Sequence, residues 1–118
     1  MALQPSSDSR NVTGIMEEER RRICDFLQGA VYTWCNARPD DCFSARDFLG
    51  RLNADWSNTP MIVLYNKHID QGKDESQAVD AAGKDAGWLL KSVLREDKRT
   101  FDHFKDEGEG IRKYRWLR

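Results

Sequence analysis

Apolar residues recur at helical spacing through the first half of the chain. Between Ile23 and Trp34 they fall at positions i, i+3, i+4, i+7, i+8 and i+11, which predicts one amphipathic helix that ends near Asn36. A second helix is predicted over Ala45–Leu52, with Ser44 as its N-cap, and a third from about residue 59 to about residue 71. This part of the chain therefore predicts a mainly helical protein.

The last third of the chain predicts a long helix followed directly by a β-hairpin. One broad apolar stripe predicts the helix over Ser76–Arg95. The segments Thr100–Phe104 and Ile111–Trp116 contain β-prone residues and flank Gly108-Glu109-Gly110, which predicts two antiparallel strands. The expected fold is mainly α with a small antiparallel β-hairpin or sheet.

Two glycines interrupt the long helix. Gly83 and Gly87 each cost roughly 1 kcal/mol relative to alanine in a helix interior, so a compensating gain is expected. Close approach of a neighbouring helix would provide that gain. Alternatively, Gly83 is a turn residue ahead of a shorter helix, Lys84–Arg95.

The 118-residue chain contains four tryptophans, which carry a large apolar area. Trp34, Trp88 and Trp116 fall on the predicted apolar stripes, and so does Val79, so all four are expected in the core. Trp56 lies in a polar turn instead. It is expected to be either a lid over the core or an exposed residue that contacts a partner, because interfaces favour tryptophan.

Composition and charge describe one globular domain with an uneven charge distribution. Hydrophobic residues make up 39% of the chain, charged residues make up 33%, and the formal net charge is −1. Dedicated nucleic-acid binders usually have a basic surplus, which the whole chain lacks. Residues 91–118, however, contain nine Lys or Arg against six Asp or Glu. This basic end is compatible with a local surface that faces phosphate.

The N-terminal segment and the cysteines indicate where in the cell the protein is expected. Residues 1–14 are polar and predict a flexible arm, with the folded domain over residues 15–118. They contain no apolar segment of a signal peptide, and no apolar run approaches the ~18 residues of a membrane span. Cys24, Cys35 and Cys42, with His68 and His103, lack the spacing of a disulfide framework or a zinc site. We therefore expect reduced thiols, structural histidines, no metal or other cofactor, no membrane association and a cytoplasmic location.

The order of the predicted elements resembles the winged helix-turn-helix superfamily. Phe43–Leu49 looks like the junction between the first strand and the second helix of that fold, and Gly87–Leu94 with the following hairpin looks like its third helix and wing. The resemblance is one of layout and covers roughly residues 17–117. It departs from the superfamily over Asn53–Glu75, where an additional helix stands in place of a short turn.

The resemblance implies a small DNA-binding regulator of bacterial or phage type that acts on double-stranded DNA without a cofactor and without catalysis. It also implies a homodimer, because two-fold proteins match two-fold operators. Lysine and arginine suit such a surface because they neutralise phosphates, and arginine also reads guanine. The residues implied to contact DNA are Lys84, Lys91, Ser92 and Arg95 of the helix and Lys98, Arg99, Lys105, Arg112 and Lys113 of the hairpin.

The near-neutral charge leaves a second interpretation open, in which the same fold binds another protein and not DNA. The acidic middle of the chain, the additional helix and Trp56 are then the expected contact surface. An enzyme is not expected, because no glycine-rich loop follows a strand in a phosphate-binding pattern and no nucleophile is paired with a base.

Overall fold

The computed structural model describes residues 12–49, 56–106 and 111–118. They form four helices and a two-stranded antiparallel sheet in the order α1 (Glu17–Ala37), α2 (Ala45–Leu49), α3 (Ile62–Asp70), α4 (Glu75–Glu96), β1 (Thr100–Asp106) and β2 (Ile111–Leu117). The predicted mainly helical fold with an antiparallel hairpin is confirmed. Residues 50–52 of the predicted second helix, and Gly108-Glu109-Gly110 of the predicted hairpin loop, lie outside the described residues.

Local hydrogen bonds explain where the helices begin. Asp74 caps α4, since its Oδ1 accepts a hydrogen bond from the Gln77 amide at 2.8 Å and Gln77 Oε1 accepts one from the Asp74 amide at 3.2 Å. At α2, Asp47 Oδ2 accepts a hydrogen bond from the Ser44 amide at 2.8 Å, so an aspartate fills the position where Glu or Gln is usual. Gly72 follows α3 with a φ of +94°, a conformation that favours glycine.

The core lies where α4 packs against α1 and α3. The central residues of the stripe predicted for α1 are fully buried, and a matching stripe of α4 is buried opposite them. Each large apolar side chain stabilises the fold by roughly 1.5–3 kcal/mol when it is fully buried. The fully buried residues of these helices include Ile23, Leu27, Val31, Leu64, Ala82, Ala86, Leu89 and Leu90.

An aromatic cluster around Phe43 joins the hairpin to the helices. Phe43 is 1% exposed, and its ring centroid lies 5.2 to 6.0 Å from those of Trp34, Phe48, Phe101 and Tyr114. The amides of Phe43 and Tyr114 also donate to each other's carbonyl oxygens at 2.8 Å, which makes a single antiparallel bridge beside β2. Phe43 therefore fixes the position of the hairpin relative to α2.

The strand register gives the hairpin an inner face and an outer face. Successive side chains of a strand point to opposite faces, and Tyr114 is buried, so the face that carries Tyr114 is the inner one. The cross-strand pairs of the inner face are Phe101–Trp116, His103–Tyr114 and Lys105–Arg112, and those of the outer face include Thr100–Leu117, Asp102–Arg115 and Phe104–Lys113.

Two residues expected in the core lie at the surface of α4. Val79 is 53% exposed and Trp88 is 38% exposed, so their placement on the buried stripe was wrong. Trp88 follows Lys84 by four residues and precedes Lys91 by three, which places all three on one outward face. Trp34 and Trp116, in contrast, pack against the core and are half-buried.

Gly83 and Gly87 lie inside one continuous helix, so the alternative of a turn at Gly83 is wrong. Among the described residues, a Cβ built at either glycine would have no neighbouring atom within 4 Å, apart from the adjacent residues and the backbone of α4 itself. Close approach of a neighbouring helix within the fold is therefore wrong as well. The cost of the two glycines is not offset by any packing within the described part of the chain.

The N-terminal segment is part of the folded domain from Val12 onwards. Val12 is fully buried, and its carbonyl oxygen accepts a hydrogen bond from Arg20 Nη2 at 2.8 Å. Lys67 Nζ donates to the carbonyl oxygen of Thr13. The arm predicted over residues 1–14 is thus wrong for residues 12–14, and residues 1–11 lie outside the described residues.

A buried charged cluster connects α3 to α4. The Asp85 carboxylate of α4 is 2.8 Å from Lys67 Nζ and 2.7 Å from His68 Nε2, both of α3. These side chains are between 9% and 12% exposed. His68 Nδ1 is buried and has no hydrogen-bond partner among the described atoms. His68 therefore belongs to the packing of the two helices.

From the burial of Phe43 and the exposure of Trp88, we expect alanine substitutions at these two positions to differ strongly in their effect on stability. Phe43→Ala should lower the free energy of unfolding by about 3–5 kcal/mol, the range for deleting a large buried aromatic side chain. Trp88→Ala should cost no more than about 1–2 kcal/mol, because its side chain is already 38% exposed. Urea unfolding of both variants measures the difference, and equal losses would contradict the assignment of Trp88 to the surface.

Asp85 should be far more sensitive to substitution than Asp80, which is exposed on the same helix. Asp85→Asn removes the negative charge beside a buried lysine and should cost about 3–5 kcal/mol. Asp80→Asn makes the same change at the surface and should stay within about 0.5 kcal/mol of the parent. Urea unfolding tests both variants. A small effect of Asp85→Asn would show that Lys67 finds another partner or solvent.

Candidate nucleic-acid interface

The outward face of α4 carries a line of basic residues with one tryptophan among them. Lys84, Trp88, Lys91 and Arg95 follow one another at intervals of four, three and four residues, which aligns them along one side of a helix. Lys91 Nζ lies 5.5 Å from the centroid of the Trp88 ring, a cation–π distance. We call these four residues the α4 face.

The α4 face leads into a cleft between the last turns of α4 and the inner face of the hairpin. This α4–hairpin cleft has a volume of about 550 Å³. It brings together five of the nine predicted contact residues, all of them Lys or Arg, and one acidic residue, Asp97. The lining residues are Lys91, Leu94, Arg95, Asp97, Lys98, Arg99, Thr100, Phe101, His103, Arg112 and Tyr114.

Asp97 and Arg99 form a structural pair at the inner end of the cleft. Arg99 Nε donates to Asp97 Oδ1 at 3.0 Å and Arg99 Nη2 donates to Oδ2 at 2.8 Å, while Gln28 of α1 donates to Oδ2 at 2.7 Å. Burial by itself raises the pKa of Asp97, but the hydrogen bonds from Arg99 and Gln28 outweigh it and hold that pKa below its ordinary value. The hydrogen bonds that Arg99 donates to Asp97 in turn raise the pKa of Arg99.

Arg99 is therefore committed to the fold. Its guanidinium also lies 5.0 to 5.8 Å from the ring centroids of Tyr32, Phe101 and Trp116. These contacts connect α1 to the start of β1. The structure thus gives Arg99 a structural role, and the contact role predicted for it stays a prediction.

Arg112 projects from the inner face of β2 into the same cleft. Arg112 Nη1 lies 3.1 Å from His103 Nδ1, and since arginine can only donate, His103 Nδ1 is the acceptor. This hydrogen bond orients the guanidinium toward the lining of the cleft. Arg112 is exposed, so a partner can reach it.

The remaining predicted contact residues are distributed differently. Ser92 is only 7% exposed and lies on the buried side of α4, so it cannot reach a base edge and its prediction was wrong. Lys113 lies on the outer face of the hairpin, opposite to Arg112. Lys105 is exposed on the inner face, nearer to the tip, and Lys84 is exposed on α4 outside the cleft.

Two residues of this surface, His103 and Trp88, were not among the predicted contacts. The alternation of strand residues places His103 on the same face as Lys105 and Arg112, so the pattern contained that signal. Trp88 could have been assigned to the surface from its spacing to Lys84 and Lys91.

Trp56 packs against the core and is half-buried. Its carbonyl oxygen accepts hydrogen bonds from Thr59 Oγ1 at 2.8 Å and from the Thr59 amide at 3.1 Å. This turn leads into Met61, which is fully buried. The position favours the lid interpretation over an exposed contact residue.

The three cysteines are free thiols, and at Cys24 and Cys35 burial disfavours the reactive thiolate form. Burial raises the pKa of Cys24 to about 11, with a further increase from the Glu96 carboxylate, and burial also raises the pKa of Cys35. Neither thiol is therefore an efficient nucleophile or metal ligand near neutral pH.

Within residues 12–49, 56–106 and 111–118, no three His, Cys, Asp or Glu side chains come together as a metal site. None of the helices in these ranges combines the length and apolar character needed to cross a membrane.

The Asp97–Arg99 pair predicts a pH-dependent loss of stability. Because the pKa of Asp97 is lower in the folded than in the unfolded state, the carboxylate stabilises the fold above about pH 4 and this contribution is lost as pH falls through the folded-state pKa. Asp97→Asn should therefore be less stable than the parent at pH 7, and the difference should shrink in acid. Urea unfolding over a pH series measures this. A difference that stays constant into strong acid would contradict the role of the charge.

Comparison of the chain with models of protein families, with curated proteins and with solved structures finds no match, so the site is interpreted from its own geometry.

Proposed function

We propose that the protein is a small regulator that binds double-stranded DNA through the α4 face and the α4–hairpin cleft. The observation that carries this proposal is the convergence of basic residues. Among the described residues, the cleft lining contains five Lys or Arg against one Asp, in a chain whose formal net charge is −1. Such a local concentration of positive charge is the electrostatic footprint of phosphate binding.

The glycines of α4 support contact along the same helix. Gly83 and Gly87 each cost roughly 1 kcal/mol in a helix interior, and no packing among the described residues offsets that cost. A partner that approaches the backbone of α4 closely would offset it. Trp88, 38% exposed on the α4 face, adds an aromatic contact group to this surface.

The winged-helix layout assigns roles to the elements. In that layout α4 is the recognition helix, the hairpin is the wing, and α3 is an addition between the second helix and the recognition helix. Lys84, Lys91 and Arg95 can then reach base edges or phosphates from α4, and Arg112 can reach phosphate from the wing. The sequence that connects β1 to β2 contains Glu107 and Glu109, and since these acids would repel phosphate, the proposal does not place this connection deep in a groove.

The free thiols fit a cytoplasmic location, and the proposal includes no cofactor and no catalytic step. A homodimer is part of the proposal, because two-fold proteins match two-fold operators. The exposed side of α1 is the proposed surface for the dimer contact.

A second candidate function is the binding of another protein through α4. Val79, which is 53% exposed, lies at four-residue intervals from Gly83 and Gly87 on one side of α4, and this uncharged strip favours the possibility. The acidic residue Asp80 lies near the same strip, toward the start of α4. Duplex binding distinguishes the two functions.

DNA binding through the α4 face predicts a steep dependence on salt. The logarithm of the binding constant should fall with the logarithm of salt concentration, with a slope of about −0.9 for each phosphate contacted. Lys84→Gln combined with Lys91→Gln should reduce the magnitude of this slope by up to about two, if both residues contact phosphate. Fluorescence anisotropy with a labelled duplex of mixed sequence measures the slopes.

The matched control is Lys73→Gln combined with Arg115→Gln, which removes the same charge from positions outside the α4 face and the cleft. This control variant should keep the slope of the parent. If the parent binds duplex no more tightly than about 10⁻⁴ M at low salt, it is weaker than ordinary non-specific binding and the protein-partner function replaces DNA binding.

A further inference from the structure

The shape of the α4–hairpin cleft distinguishes it from the rest of the basic surface. A volume of about 550 Å³ lies within the ~300–1,000 Å³ of clefts that hold small ligands. An intact duplex receives a protruding helix in its major groove, and it cannot itself enter a concave site of this size. Duplex DNA would therefore contact the α4 face and the rim of the cleft, but would leave its interior open.

The positive charge of the cleft favours the binding of an anion. Its walls carry Lys91 and Arg95 from α4, Lys98 from the connection and Arg112 from β2. Among the described residues of the lining the one acid is Asp97, which accepts hydrogen bonds from Arg99 and Gln28. The lining is thus net positive even after Arg99 and Asp97 are set against each other.

The apolar part of the lining favours a ligand that carries an aromatic group in addition to a phosphate group. Leu94, Phe101 and Tyr114 line the cleft together with the basic residues. Leu94 and Tyr114 are each 7% exposed, so the half-buried Phe101 presents the accessible ring. Grooves that combine positive charge with aromatic side chains are typical of sites for single-stranded nucleic acid, where bases stack on the rings. Inorganic phosphate would use only the charged part of such a lining.

We propose that the α4–hairpin cleft holds one unpaired nucleotide, with its phosphate near Lys98 and Arg112 and its base against the apolar lining. This inference rests on the proposed DNA binding and deepens it, because it predicts a preference for DNA in which a nucleotide is free to leave the duplex. His103 positions Arg112 for this contact through the 3.1 Å hydrogen bond at Nδ1. Arg112 is thus the residue whose removal should affect the unpaired nucleotide most.

The test compares two labelled DNA molecules with the same number of phosphates, a blunt duplex and a duplex with a short single-stranded overhang. Fluorescence anisotropy at fixed salt should show the overhang duplex bound about tenfold more tightly, the gain that one stacked base can provide. Arg112→Gln should remove this advantage. Arg115→Gln is the matched control, since it makes the same substitution on the outer face of the same strand and should retain the advantage.

Competition separates the possible sources of the nucleotide. Deoxyadenosine monophosphate should displace the overhang duplex and should shift the ring resonances of Phe101 and Tyr114 in NMR spectra, whether or not a free nucleotide is the natural ligand. Inorganic phosphate at the same concentration should do neither. Equal competition by phosphate would overturn the assignment of a base to the cleft.

The outcomes also separate this inference from the proposed function. Equal affinity for the blunt and overhang duplexes would overturn the nucleotide site and leave duplex binding standing. Binding of a single strand and of the mononucleotide without any duplex binding would overturn the proposed duplex binding and leave the nucleotide site standing. Loss of the advantage in Arg115→Gln as well as in Arg112→Gln, with both variants folded by circular dichroism, would overturn the location of the site.

Discussion

The burial of one side of α4 is the interaction on which the rest of the structure depends. Its apolar side packs against α1 and α3, and residues such as Leu89 and Leu90 are fully excluded from solvent. At roughly 1.5–3 kcal/mol for each large side chain, this packing is a main source of stability for so small a domain. Because one side of α4 is anchored in the core, its opposite side is held rigidly toward solvent, where Lys84, Trp88 and Lys91 form the proposed contact face.

The end of α4 determines where the hairpin lies. Asp97, directly after the helix, binds Arg99 and Gln28, and the Arg99 guanidinium packs over aromatic rings from α1 and both strands. Phe43 holds the hairpin from the other side through its bridge to Tyr114. These contacts leave the inner face of the hairpin open near Arg112, and the α4–hairpin cleft is the result. Arg99, which was predicted to contact DNA, thus also holds the site together.

Much of the fold could be predicted from the sequence, because its signals are local. The stripe of α1, the position of Asp47 beside Ser44 and the alternation in the two strands depend on neighbours a few residues away. The charge of residues 91–118 likewise indicated the basic end of the molecule. Less of the candidate site could be predicted: five of the nine predicted residues line the cleft, while Ser92 is buried and Arg99 is paired.

The sequence by itself determined the order of the elements, their approximate ends and the strand pairing, since hydrogen-bonding geometry and side-chain periodicity act over short distances. Only the tertiary structure decided which part of the stripe of α4 is covered. Val79 and Trp88 are apolar and near that stripe, yet they face solvent because no described element packs over them. It likewise decided that Val12 enters the core and that Asp85 lies against Lys67, because these contacts join residues far apart in the chain.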